Sequence, residues 1–185
     1  REDYDWNIHI IRNDNIIDCF TTVGGQIYIY TGMLKSLHNE SQLMGILAHE
    51  ISYADKGYHM DIIDDHYAFN ILLDVSYGGE NQKALDMLFL FYDEPRKTNK
   101  TGEADQYGMG LLCLTSTKAS EMGVAIGDAY LANNLWYQRH PHPSNTTFEV
   151  NRETFFRESA TDTTCGGTDD GFSRYFTFVN TYLEK

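Results

Sequence analysis

Between Asn39 and Lys56 the chain sets a polar, helix-starting residue ahead of Leu43, Ile46, Leu47 and Ile51, apolar positions spaced three, one and four residues apart. That period predicts an amphipathic helix from Glu40 to about Lys56, capped by the Asn39 side chain and buried along its stripe. Inside it lies Ala48-His49-Glu50-Ile51-Ser52-Tyr53. A helix carrying His-Glu-x-x-His grips a zinc ion because residues four apart share one face, and the Glu takes a proton from the metal's water. Here the first His and the Glu are present, and the fifth position is Tyr53.

The elements around this helix fix the fold class. Ile8 and Ile10 alternate, Asn13-Asp14-Asn15 is a turn cluster, Ile16 to Phe20 resumes an apolar run, and Gly24-Gly25 turns into the strand Gln26–Tyr30. Thr31 then opens a short helix through Leu37. Further helices are predicted at Asp61–Val75, Asn81–Tyr92, Gly102–Thr115, Ser120–Tyr137 and Ser144–Glu158, with a flexible Gly- and Thr-rich loop at 161–171 and a short aromatic ending. At 185 residues this is one domain of α+β class, a small N-terminal mixed or antiparallel sheet followed by a mostly helical body.

Four segments occur in one order: Asp18-Cys19-Phe20-Thr21-Thr22-Val23-Gly24-Gly25, then Leu47-Ala48-His49-Glu50, then Gly102-Glu103-Ala104-Asp105-Gln106-Tyr107-Gly108, then His142-Pro143-Ser144. Together they resemble the zincin-like gluzincin peptidase family that includes the CAAX prenyl proteases, bacterial HtpX and BepA. The resemblance covers about Trp6 to Glu158. It implies a zinc-dependent endopeptidase acting on protein or peptide substrates, in which His49 and Glu103 hold Zn and Glu50 is the general base. It gives His142, or its neighbour His140, the task of stabilising the oxyanion. Asp105 lies about 200° round the helix from Glu103, so it cannot share Glu103's face and reads as a supporting hydrogen bonder. The strand Gln26–Tyr30 can be either the sheet edge that receives a substrate strand or part of the core.

Tyr53 is the weightiest departure. An imidazole binds zinc while neutral, whereas ionising a phenol of ordinary pKa at neutral pH costs about 4 kcal/mol before any metal–oxygen bond offsets it. Weaker zinc binding is therefore expected. Two readings follow: a zinc metalloendopeptidase, or a pseudopeptidase that binds peptides or a protein partner without cleavage. His59, ten residues after His49, falls about 80° off the metal face and is an unlikely substitute.

A net charge of −13 argues against a nucleic-acid partner, which needs a basic face. Three cysteines at irregular spacing define neither a disulfide framework nor a Cys-based zinc site. No apolar run is long enough to cross a bilayer, and the abrupt start at Arg1 leads us to expect a signal or anchor upstream. By resemblance alone, the expected location is a bacterial periplasm or cell envelope.

Overall fold

The computed structural model describes residues 4–22, 24–58, 98–140 and 167–184. The helices expected at 61–75, 81–92 and 144–158 lie outside the described residues, as do His59 and His142. Three strands, β1 (Asn7–Ile11), β2 (Cys19–Thr22) and β3 (Gln26–Tyr30), form a mixed sheet in the order β1-β3-β2. β3 pairs parallel with β1 and antiparallel with β2. It is therefore the central strand, so the edge-strand alternative for Gln26–Tyr30 is corrected: both of its ladders are taken. Its core side is Ile27 and Ile29, both buried. The alternating Ile8 and Ile10 of β1 are by contrast 55% and 53% exposed, because among the described residues nothing packs over that face of the edge strand.

The helices are α1 (Thr31–Ser36), α2 (Glu40–Asp55), α3 (Thr98–Leu112), α4 (Glu121–Leu131), α5 (Leu135–Arg139) and α6 (Phe172–Phe178), the last continuing into a π-helical turn at Val179–Leu183. The fold is α+β. Among the described residues no helix is long and apolar enough to cross a membrane.

α2 is the axis of the molecule, packed against α3, α4 and β2. Its start is determined locally: the Asn39 side chain accepts from the Gln42 N–H at 2.8 Å, satisfying one of the helix's orphan donors. Its end is equally local, with Gly57 at φ 70 following the Lys56 cap. Asn39 and Gln42 both donate to Glu121 at the start of α4, so the cap is also a tertiary tie. Two glycines set how near the neighbours come. A Cβ on Gly45 would lie 2.7 Å from Met122 Cα in α4, and one on Gly108 in α3 would lie 3.0 Å from the Ala48 carbonyl oxygen. These backbones approach closely because neither position carries a side chain.

The single long helix expected at 120–137 is two. Asn133 adopts a left-handed φ of 45, and the Asn134 side chain caps α5 by accepting from Tyr137 N–H at 2.9 Å. Asn is among the few residues that tolerate that conformation, and as a cap it restarts the helix in a new direction. Within the stretch read as a flexible loop, the described part is pinned. Gly167 N–H donates to Thr117 O at 2.8 Å and Ser41 N–H to Asp170 O at 2.9 Å, the latter covering a further free donor at the start of α2.

The α2–α4 contact yields a stability prediction. Gly45→Leu forces a side chain into Met122 and is expected to destabilise the chain by about 1–3 kcal/mol. Urea unfolding followed by circular dichroism reads that loss; a variant as stable as the parent would show that the helices do not meet there.

Candidate metal centre and catalytic pair

His49 and Glu50 occupy consecutive positions on α2 and are both fully buried. Consecutive residues on a helix diverge by about 100°, so their partners come from different elements. For His49 the partner is α3: its Nδ1 lies 2.6 Å from Asp105 Oδ1. A carboxylate accepts, so Nδ1 carries the proton and Nε2 is left as the atom able to ligate.

Glu50 meets β2 and α5. Its Oε2 accepts from the Thr21 hydroxyl at 3.0 Å and its Oε1 from the Trp136 indole N–H at 3.1 Å. His140, the residue that ends α5, brings Nε2 to 3.0 Å from Glu50 Oε1, an ion-pair distance without the alignment of a directed hydrogen bond. The other ring nitrogen of His140 donates to the Trp136 carbonyl at 2.6 Å, and its ring stacks on the Trp136 indole with centroids 4.5 Å apart. A buried carboxylate without such partners would be costly; here each oxygen is held by a donor.

α5 is brought to this place by the segment before β2. Trp136 N–H donates to Ile17 O at 3.0 Å, and Arg139 pairs with Asp18 at 2.5 Å, both side chains buried. Burial pushes the Asp18 carboxyl up to about 6, against the downward pull of Arg139 and of the Cys19 N–H, with Glu50 nearby adding to the rise.

Tyr53, four residues after His49, is buried in a small cluster with Tyr58 and Ala104. Its ring lies 6.3 Å from that of His49 and meets Tyr58 edge-on at 5.4 Å. Glu103, expected beside His49, lies on the exposed side of α3 and accepts from the Tyr58 hydroxyl. The reason is helical phase. Thr101, Asp105 and Gly108 form the face that meets α2, and Glu103 is about 200° from Asp105. Asp105 is thus the acidic residue of α3 that meets His49, and Glu103 meets Tyr58.

The group among the described residues able to hold a metal ion is His49, Glu50 and His140, whose ligand atoms all lie within 4.8 Å of one another. The two imidazoles suit zinc in donor type, each with Nδ1 engaged by a partner, and the Glu50 carboxylate lies beside them. Thr21, Trp136 and Arg139 were not anticipated from sequence, and His140 only as the alternative to His142 in stabilising the oxyanion. The one legible signal was the spacing of Trp136 and His140, four apart and so on one helical face.

The Asp18–Arg139 pair makes a pH-dependent prediction. A folded-state pKa above the unfolded value means that Asp18's contribution to stability is full below about pH 4 and is lost as pH rises through about 6. Arg139→Met removes the cation that offsets the charged form, so it should cost about 3–5 kcal/mol near pH 7.5. The cost should shrink near pH 5, where Asp18 takes up a proton. Denaturant unfolding of parent and variant at both pH values checks this; a penalty independent of pH contradicts it.

Comparison with known proteins agrees with the geometry. Metalloendopeptidase OMA1, mitochondrial, of Bos taurus is 25% identical over 171 residues, covering 80% of this chain; the chain spans only 32% of that relative's length. Peptidase family M48 matches residues 1–147, most of the chain. M48 metallopeptidases use zinc, and this chain belongs to peptidase family M48.

Proposed function

We propose that the chain is a zinc-dependent metalloendopeptidase-type protein in which Glu50 is the general base and His49 a metal ligand. The observation that carries this reading is the Asp105–His49 contact at 2.6 Å, which aims Nε2 of His49 away from α3, with the Glu50 carboxylate next in the chain. When bound, zinc supplies Lewis acidity to the attacking water and to the scissile carbonyl.

The chain's own residues do the rest. Thr21 and Trp136 hold the Glu50 carboxylate in one orientation. So oriented, it can take the water's proton and pass it to the leaving amine. Burial gives the Glu50 carboxylate a low-dielectric setting, where its interactions are strengthened. The role of oxyanion stabiliser proposed for His142 falls outside the described residues. The protein or peptide class of substrate follows from the family.

A second reading, a pseudopeptidase that binds peptides without cutting them, is favoured by one pair of observations. Tyr53 is packed among Tyr58 and Ala104, and Glu103 accepts from the Tyr58 hydroxyl, so each is engaged in another contact.

Zinc content and cleavage of a quenched fluorescent peptide library, measured on parent and Glu50→Gln, separate the two. The peptidase reading predicts about one zinc per chain in both proteins and a fall in cleavage of at least about 100-fold in the variant. Zinc without cleavage in the parent supports the pseudopeptidase; undiminished cleavage by the variant overturns Glu50 as base.

A further inference from the structure

We propose that His140 supplies the second imidazole of the metal site, in place of the histidine that Tyr53 supplants on α2. This rests on the metal-binding part of the reading above and assigns a ligand that the helix motif does not contain.

Four observations carry it. His140 is fully buried, and its ring stands 5.0 Å from that of His49 at 76°, so two imidazoles from different helices converge. Both are prepared in the same manner. Nδ1 of His49 is tied to Asp105, and Nδ1 of His140 donates to the Trp136 carbonyl, which can only accept. With Nδ1 so engaged, Nε2 is the ring nitrogen through which each would bind a metal, the arrangement by which partner groups orient zinc-bound histidines.

Nε2 of His140 is also the atom that approaches Glu50, at 3.0 Å, so it points toward the catalytic carboxylate rather than away from it. The ligand atoms of the three residues lie within 4.8 Å of one another. Of the three, the two imidazoles are the proposed ligands, and Glu50 keeps its place beside the ion as the base.

Tyr53 fits the task less well. Its ring belongs to the Tyr58–Ala104 cluster, and its phenol must lose a proton before it binds tightly. The position of His140 is also built in two independent ways, by the Trp136 N–H to Ile17 bond and by the Arg139–Asp18 pair on the residue beside it. The end of a five-residue helix is otherwise free to fray, and these ties hold it against α2.

The test is zinc affinity of the full chain, stripped of metal and titrated against a chromophoric chelator, for parent, His49→Ala, His140→Ala and Tyr53→Phe. His140→Ala should weaken zinc binding by at least about 100-fold, as His49→Ala does, while Tyr53→Phe stays within about threefold of the parent. Because His140 is buried and its loss can unfold the chain, X-ray absorption on the zinc-loaded parent and on Tyr53→Phe gives a second readout, with two imidazoles expected in each. One imidazole in the parent overturns the proposal, as does parent-like affinity in His140→Ala, and so does a parent that takes up no zinc. Two imidazoles in a parent that cleaves no peptide uphold the site and sink only the hydrolytic reading.

Discussion

The contact between His49 Nδ1 and Asp105 Oδ1 is the interaction on which the site depends. It links the helix bearing His49 and Glu50 to α3 and engages one ring nitrogen of His49. It exists only because two backbones come close: Gly108, one turn beyond Asp105, lies against the carbonyl of Ala48. A larger residue there would push α3 outward and take the carboxylate with it.

Around that contact the site is assembled from four separate elements. α2 gives His49 and Glu50, β2 gives Thr21, α3 gives Asp105, and α5 gives Trp136 and His140. The sheet contributes as a platform: β3 is paired on both sides and holds β2 in register against α2, so that Thr21 reaches Glu50. The Asp18–Arg139 ion pair draws α5 to the same place. Its burial makes it expensive, which suits a device whose role is position more than stability.

Much of this was readable from the residues because it is local. The Asn39 cap, the stripe of α2, the Gly57 stop and the strand Gln26–Tyr30 each depend on neighbours a few positions away, and each stands where pattern places it. What could not be read is long-range. Nothing in the order of residues says that Asp18 faces Arg139, or that Trp136 faces Glu50, because those pairs are 121 and 86 positions apart. That Asp105 meets His49 while Glu103 meets Tyr58 is set by the phase of α3 against α2, along which Gly108 lies against Ala48. The break at Asn133–Asn134 was missed for another reason: a single left-handed Asn interrupts a period that otherwise runs through it.

The central claim is that His49 and His140, carried by different helices, face one point beside Glu50. A crystal structure of the zinc-soaked chain with anomalous diffraction collected at the zinc edge tests it directly. The account predicts an anomalous peak in contact with Nε2 of both histidines and adjacent to the Glu50 carboxylate. A peak held by Tyr53 or Glu103, with His140 turned elsewhere, would contradict it.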